Sequence, residues 1–300
     1  MLTATWGRRI ASALFLFTCT AFGQYAGATS CKSCHPKQSE SQAKSGHALA
    51  LSGGATEWNF GAGVQAVTPV SQLDKEFYLE HGLSDYKGTR LLTPGHKDSK
   101  GVRYRITDPE SKILRCFQCH STGPLALTPE MTILPSEQGI RCEACHGPGQ
   151  EHIARGGAKA AIFNPGTLNA QAINEFCGNC HRKPATVNDD TDWNNAWNTR
   201  HEPVYLDKSA CFQKSQGALT CMTCHSPHEP LARTGVAGNK QAGNQYDAIC
   251  QNCHARPQHK AVAVMGKSCV GCHMPKVIPQ PKLAFTNHWI GIYRRGNLRP

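Results

Sequence analysis

Cysteine and histidine are the residue types in this sequence whose spacing could do chemistry. The 300 residues include 16 cysteines and 15 histidines. Fourteen cysteines form seven C-x-x-C pairs, and a histidine directly follows every pair. In chain order these motifs, numbered 1 to 7, contain Cys31 and Cys34, Cys116 and Cys119, Cys142 and Cys145, Cys177 and Cys180, Cys221 and Cys224, Cys250 and Cys253, and Cys269 and Cys272. The motif histidines are His35, His120, His146, His181, His225, His254 and His273.

The pattern C-x-x-C-H is typical of covalent attachment of c-type haem. The two thiols add to the porphyrin vinyl groups, and the next residue brings its imidazole to the iron. Zinc and disulfides are the alternatives, and Cys250, Cys253, Cys269 and Cys272 do have the spacing of a zinc ribbon. Neither alternative needs a histidine after each pair. The sequence therefore predicts seven covalently bound c-type haems, each with iron.

The histidines outside the motifs could supply the second axial ligands. Eight remain for seven irons, which predicts bis-histidine, low-spin haems of low potential. His152 and His228 follow the motif histidines His146 and His225 so closely that the chain is too short to reach the other face of the same porphyrin. Each is therefore expected to ligate a neighbouring haem. The stronger candidates are His47, His152, His228 and His288, while His81, His96, His201 and His259 compete for the remaining three places.

The N-terminal segment resembles a secretory signal peptide. Arg8 and Arg9 precede a short apolar run at residues 10–17, and small residues follow as far as Ala28. Cleavage after Gly23 and cleavage after Ala28 fit equally well, and a retained membrane anchor is the alternative. With residues 1–28 as the signal peptide, the prediction is one heptahaem domain at residues 29–300. Covalent haem attachment takes place outside the bacterial cytoplasm, so we expect a periplasmic, extracellular or cell-surface protein.

The basic net charge does not indicate a nucleic-acid partner. The formal net charge is +11 and the isoelectric point is near 9.0. Seven haems would carry two propionates each, so the basic residues are interpreted as haem counter-ions. No nucleic-acid-binding motif accompanies them.

The elements that must position the haems are expected to be sparse. Hydrophobic residues make up only 39% of the chain, which predicts stacked haems as the core of a compact protein. The predicted fold class is mainly α with extensive loops and little β. Predicted helices cover residues 37–51, 74–81, 170–180 and 246–254. Alternation from Val102 to Ile106, followed by Ile113 and Leu114, predicts a hairpin.

The longest interval between motifs separates motif 1 from motif 2. It has room for a haem-poor lobe over residues 52–115, which would be a docking site for a partner. The alternative is that this segment caps the first haem and supplies a distal histidine.

Several segments resemble multihaem cytochromes c of the cytochrome c-552/c-554 type. They are SCKSCHPKQSESQAKSGHALA, GIRCEACHGPGQEH, FCGNCHRKP, TCMTCHSPHEP, and SCVGCHMPK with FTNHWIGI. The resemblance implies closely stacked haem pairs, distal ligation by residues such as His47, His152, His228 and His288, and respiratory electron transfer. The seven motifs exceed the four of the namesake.

The predicted function is therefore electron transfer between respiratory redox partners, either quinol-linked cytochromes or terminal reductases. Membrane-complex association and oligomerisation stay open. The alternative is a reductase or oxidase of a small nitrogen or sulfur species at one five-coordinate haem. In related enzymes that haem is commonly marked by a Lys in place of the motif His or by a missing distal ligand. C-x-x-C-K does not occur in this sequence, and the histidines outside the motifs outnumber the irons. A structural or haem-storage protein is the third hypothesis.

Overall fold

The computed structural model describes residues 24–110, 112–184, 198–231, 240–254, 268–294 and 297. Its strands are Leu51–Gly54 (β1), Glu57–Phe60 (β2), Thr68–Gln72 (β3), Phe77–Glu80 (β4), Leu83–Asp85 (β5), Arg90–Leu92 (β6), Val102–Arg105 (β7), Ser121–Leu127 (β8), Ile133–Gln138 (β9), Lys276–Gln280 (β10) and Leu283–Thr286 (β11). Its α-helices are Ala28–Cys31 (α1), Pro36–Gln42 (α2), Lys112–His120 (α3), Cys142–His146 (α4), Gln150–Ala154 (α5), Ala170–His181 (α6), Glu202–Lys208 (α7), Ala210–Lys214 (α8), Cys221–Cys224 (α9), Lys240–Cys253 (α10) and Cys269–His273 (α11).

An antiparallel sheet occupies the interval between motifs 1 and 2. Its strand order is β1-β2-β3-β4-β7, and Trp58 pairs with Val70 while Tyr78 pairs with Tyr104. Three two-stranded antiparallel sheets pair β5 with β6, β8 with β9, and β10 with β11. In β2 and β4 alternate side chains are more deeply buried, as expected for strands with one face against a core.

The core of this sheet extends into a haem motif. Phe117 lies inside motif 2 on α3 and is fully buried. Its ring meets Trp58 edge-to-face at 5.3 Å and Phe60 at 5.0 Å between centroids. Ile113 and Ile133 complete the same buried cluster. Motif 2 is therefore anchored to the sheet by ordinary side-chain packing. A separate haem-poor lobe with the bounds 52–115 stays a prediction.

The prediction of a mainly α fold with little β is wrong. The described residues contain four antiparallel sheets, and strands account for much of residues 51–138. The sequence argument assumed that haem would replace side-chain packing throughout the chain. The aromatic side chains between motifs 1 and 2 instead form a core of their own, because short strands with alternating burial can pack one face together.

Two local predictions fail for the same reason. Residues 74–81 are not helical: β4 covers Phe77–Glu80, with Tyr78 and Glu80 as its buried positions. The predicted hairpin is also wrong, because β7 pairs with β4 while Ile113 and Leu114 lie on α3. These pairings join segments that are not adjacent in the chain, and a local pattern does not specify them.

The other helix predictions fare better. Residues 170–180 are helical, as predicted, within α6, and residues 246–253 are helical within α10. The first predicted helix is shorter than expected, because α2 ends at Gln42 and strand β1 begins at Leu51.

The chain after residue 138 packs differently. The buried apolar clusters described there are small: one joins Ala170, Leu206 and Phe212, and another joins Tyr205 and Val277. Most motif helices in this part are short. In the ranges that the structure describes, no helix combines the length and apolar character needed to cross a bilayer.

Candidate haem sites

Each motif lies in or beside a helical turn. Motifs 3 and 7 form α4 and α11, motif 5 contains α9, and motifs 2 and 4 end α3 and α6. Residues three apart share one face of a helix, so a helical C-x-x-C places both thiols on the same side. The histidine one residue further continues the turn.

Four pairs of imidazoles lie close together, two with nearly parallel rings and two with inclined rings, and each pair joins one motif histidine to one histidine outside the motifs. The ring centroids are 6.3 Å apart for His35 and His152, 6.0 Å for His47 and His181, 6.0 Å for His146 and His228, and 6.2 Å for His225 and His288. His152 and His228 each lie opposite a motif histidine other than the one that they follow in the chain. Distant parts of the sequence therefore meet at all four pairs.

These separations fit a metal ion between the two rings. A metal–imidazole bond is about 2 Å long, and each ring centre lies roughly 1 Å behind its ligating nitrogen, so two rings sharing one metal have centres about 6 Å apart. Among the described residues, no group of three or more His, Cys, Asp or Glu side chains forms a metal site by itself. Two imidazoles per site suit haem, whose porphyrin supplies the other four ligands.

Backbone carbonyl oxygens orient several of these rings. A carbonyl oxygen can only accept, so each ring must donate from Nδ1 and keep the Nε2 lone pair for a metal. Five histidines donate from Nδ1 to a backbone carbonyl oxygen: His120 to that of Ala50 at 2.9 Å, His146 to Phe163 at 2.9 Å, His152 to Ala158 at 3.0 Å, His273 to Gly291 at 2.8 Å and His288 to Thr286 at 3.0 Å. The tautomer that metal binding requires is therefore built into the fold.

His181 has a different partner. Its Nδ1 lies 3.1 Å from Oε2 of Glu202, the first residue of α7. Burial opposes both charges, but the hydrogen bond and mutual attraction outweigh it. They raise the pKa of His181 to about 9 and lower the pKa of Glu202 to about 2. Sequence reasoning missed Glu202, because its only signal is a carboxylate beside His201, far from motif 4 in the chain.

Burial keeps other candidate ligands neutral. It lowers the pKa of His225 to about 4, with His288 as the next cause. It also lowers the pKa values of His47, His120, His228 and His288. A neutral imidazole is the form that binds a metal, so a metal at His181 would displace the Nε2 proton while the Nδ1–H group keeps its hydrogen bond to Glu202.

Thiols of different motifs lie near one another, and helices of different motifs are in contact. Cys31 lies near Cys142, Cys177 near Cys221, and Cys250 near Cys269, where α1 contacts α4, α6 contacts α9, and α10 contacts α11. Cys119 lies near Cys180, with its Sγ 4.0 Å from the carbonyl oxygen of Asn179. Helix α9 of motif 5 also contacts α10 of motif 6. Motif 4 thus contacts both motif 2 and motif 5.

Two predicted ligands, His81 and His96, have polar partners near the five-stranded sheet. His81 Nε2 lies 2.8 Å from Ser71 Oγ, and His96 Nε2 lies 3.5 Å from Glu80 Oε1. In the described ranges neither ring is opposite a motif histidine. His201 lies just before α7, with its Nδ1 3.5 Å from Arg182 Nη1. His259 lies outside the described residues, and His254 follows α10.

His120 of motif 2 differs from the four paired motif histidines. The aromatic ring of Phe60 lies beside the imidazole of His120, with 5.1 Å between the ring centroids. Within the part of the chain that the structure describes, no second imidazole lies opposite His120 at the separation found in the four pairs.

Glu143, inside motif 3, was also missed by sequence reasoning. Its side chain is buried, and its Oε1 accepts hydrogen bonds from the backbone N–H groups of Ala26 at 2.8 Å and Gly149 at 2.6 Å. Its Oε2 accepts from the N–H of Gly27 at 2.8 Å. The carboxylate thereby fastens the segment before motif 1 to motif 3.

Comparisons with known proteins point to the same class. Residues 84–147 match the family model described as cytochrome c554 and c-prime. The chain is 26% identical over 149 residues to the multihaem cytochrome MtrA of Shewanella baltica, covering 46% of this chain and 36% of MtrA. It is 28% identical over 130 residues to the polyhaem cytochrome OmcB of Geobacter sulfurreducens, covering 41% of this chain and 15% of OmcB. The matched parts thus span well under half of either relative.

The fold has a solved counterpart. The crystal structure of the outer cell wall cytochrome OcwA superposes with a TM-score of 0.52 at 17% identity, covering 89% of this chain and 79% of OcwA. Together the comparisons confirm the resemblance to the multihaem cytochromes c of the cytochrome c-552/c-554 type, which are electron-transfer proteins with covalently bound c-type haem.

Proposed function

We propose that this chain is an exported heptahaem cytochrome c, a single domain over residues 29–300 or slightly longer, that passes electrons between redox partner proteins. The observation that carries the proposal is the set of four imidazole pairs whose ring centroids lie 6.0–6.3 Å apart. Bound c-type haem supplies one-electron chemistry between ferric and ferrous iron.

The chain's own residues hold and orient each group. The fourteen motif cysteines would anchor the porphyrins, and each motif histidine would be an iron ligand. The second ligands would be His152 at motif 1, His228 at motif 3, His47 at motif 4 and His288 at motif 5. Backbone acceptors at Nδ1 hold several of these rings in orientation, which favours fast electron transfer because little rearranges when the charge changes.

The contacts between motifs support an order for the haems. Motif 1 meets motif 3, and motif 4 meets motifs 2 and 5, while motifs 5, 6 and 7 follow one another through contacts of α9, α10 and α11. Cys145 of motif 3 and Cys177 of motif 4 are also close enough to interact electrostatically. We infer a branched path in which motif 4 is the junction and motifs 1, 2 and 7 are the ends, available to partners.

The spectrum and mass of the purified protein test this function. Intact mass is expected to show seven haems on one polypeptide, and ferric spectra are expected to be dominated by low-spin signals. A mass equal to the polypeptide alone, or zinc in place of iron, would overturn the proposal.

One observation favours a second function, reduction or oxidation of a small nitrogen or sulfur species. His120 lacks an opposing imidazole in the described residues, and a five-coordinate iron there would have an open position for substrate. Carbon monoxide distinguishes the two functions. Binding to the reduced protein that is lost in a His120→Ala variant supports the enzyme, whereas no binding supports the carrier.

Export to the periplasm or cell surface belongs to the same proposal. The N–H groups of Ala26 and Gly27 bind the buried Glu143, and the N–H of Ala28 donates to Glu137 at 3.2 Å. Cleavage after Ala28 would remove two of the three backbone partners of Glu143, so these contacts favour cleavage after Gly23. The mature protein is then expected to begin at Gln24, and N-terminal peptide mass spectrometry of the exported protein decides between the two positions.

The partners we propose are redox proteins, either quinol-linked cytochromes or terminal reductases, and not nucleic acid. The propionates of seven haems would offset the basic charge, as set out above. Salt-insensitive retention on DNA, or absence of reduction by any quinol-linked donor, would contradict this choice. Sedimentation of the exported protein determines whether it also forms oligomers.

A further inference from the structure

His181 is oriented by a carboxylate, whereas five other candidate ligands are oriented by neutral carbonyl groups. The Nδ1 atoms of His120, His146, His152, His273 and His288 each donate to a backbone carbonyl oxygen. His181 instead donates to Oε2 of Glu202 at 3.1 Å. Among these six histidines, His181 alone has a full negative charge beside its Nδ1 atom.

Packing fixes Glu202 in this place. Helix α7 begins at Glu202 and packs against α6, which ends at His181. The buried Asn174 of α6 donates to the carbonyl oxygen of Pro203 at 3.0 Å, and the next residue, Val204, is buried. These contacts hold the backbone that carries Glu202 beside His181.

A carboxylate acceptor makes a ligating imidazole more basic than a neutral acceptor does. A more basic axial ligand donates more strongly to iron and stabilises the ferric state over the ferrous state. We propose that Glu202 is a positioning residue that, through its hydrogen bond to His181, lowers the reduction potential of the motif 4 haem relative to the same haem with a neutral acceptor.

This inference rests on the proposed function. It gives the haem at motif 4, the junction of the branched path, a role in electron transfer. Motif 4 contacts motif 2 where Cys119 Sγ lies 4.0 Å from the carbonyl oxygen of Asn179, and it contacts motif 5 where α6 packs against α9. With haem bound, each reduction of the iron at motif 4 would be balanced by the one-electron oxidation of a neighbouring haem, with no bond or proton transferred. Because the carboxylate disfavours the reduced state there, electrons pass through the junction without accumulating on it.

The test is a potentiometric titration of the holoprotein followed by electron paramagnetic resonance. His47→Ala identifies the motif 4 signal, because the haem that loses His47 leaves the low-spin spectrum. In Glu202→Gln the same signal is expected to be reduced more easily, with its redox equilibrium shifted at least tenfold, or 59 mV for one electron. Its g values are also expected to change, because the axial donor is weaker.

Two further variants control for structure and charge. Glu202→Asp keeps the negative charge and is expected to recover most of the low potential. Glu151→Gln removes an exposed carboxylate that directly precedes His152 in the chain and pairs with Arg155 at 3.0 Å. This variant is expected to leave the motif 4 signal unchanged.

The outcomes separate the two proposals. If His47→Ala removes no low-spin signal, the proposed ligation fails. If it removes one, but Glu202→Gln leaves that potential unmoved, or Glu202→Asp shifts it as far as Glu202→Gln does, then the role of Glu202 is overturned while the ligation stands.

Discussion

The sheet region at residues 51–138 and the motif region at residues 142–294 are stabilised in different ways. In the sheet region, Trp58, Phe60, Tyr78 and Phe117 form one continuous buried cluster. In the described parts of the motif region the buried clusters are small, and pairs of histidines from distant segments face each other across a gap that suits a metal. The first region carries its own core, whereas the second is expected to depend on haem for its interior.

Producing the protein without haem should give the largest difference between the two regions. In protein produced without haem attachment, the motif region is expected to lose its structure while the sheet region keeps much of its own. Hydrogen exchange followed by mass spectrometry measures both at once. Protection that survives in residues 142–181 and 268–294 without haem would show that haem is not their core.

Truncating the buried aromatic ring of motif 2 tests the sheet region. Phe117→Ala is expected to lower the free energy of unfolding of this region by about 3–5 kcal/mol, because it removes a fully buried ring. Chemical denaturation followed by tryptophan fluorescence is the measurement.

The matched control is Met222→Ala, at the equivalent position of motif 5. Met222 is only half-buried and belongs to none of the described apolar clusters. Its variant is expected to cost much less, and equal losses in the two variants would contradict the difference between the regions.

The buried carboxylate of motif 3 should have an intermediate effect. Glu143→Gln replaces an acceptor of three backbone N–H groups by an amide that accepts through one oxygen only. We expect a loss of about 1–3 kcal/mol, because buried donors lose their acceptor. Faster proteolysis near Gln24 is the readout, and an unchanged cleavage rate would show that the contact does not hold the N-terminal segment.

Removing single candidate distal histidines should change stability least. It compares the two regions directly, because it shows which of them supplies haem ligands. His228→Ala is expected to convert one low-spin haem to high-spin without releasing it, because the covalent thioethers remain. His81→Ala, in the sheet region, is expected to leave the low-spin spectrum unchanged, because Nε2 of His81 already binds Ser71. Electron paramagnetic resonance measures both variants, and a high-spin signal in His81→Ala would place a haem ligand in the sheet region.

Short-range features were predictable and long-range ones were not. Helix α6 was predicted over residues 170–180, and the structure shows a local capping signal for it: the side chain of Asn169 accepts from the N–H of Ala172 at 2.9 Å. The sheet was not predicted, because β4 pairs with β7 across a long connection and its strands are only a few residues long. Glu202 was missed because its chemistry depends on a histidine that lies far from it in the chain.

The primary structure by itself determined where haem can be attached, because two thioethers and the adjacent imidazole come from five consecutive residues. It also determined that enough histidines exist for bis-histidine ligation. Only the tertiary structure decided that His152 faces His35 and that a carboxylate stands behind His181. The physical reason is that an axial pair and a ring's acceptor are set by how distant segments pack, and no local spacing encodes that packing.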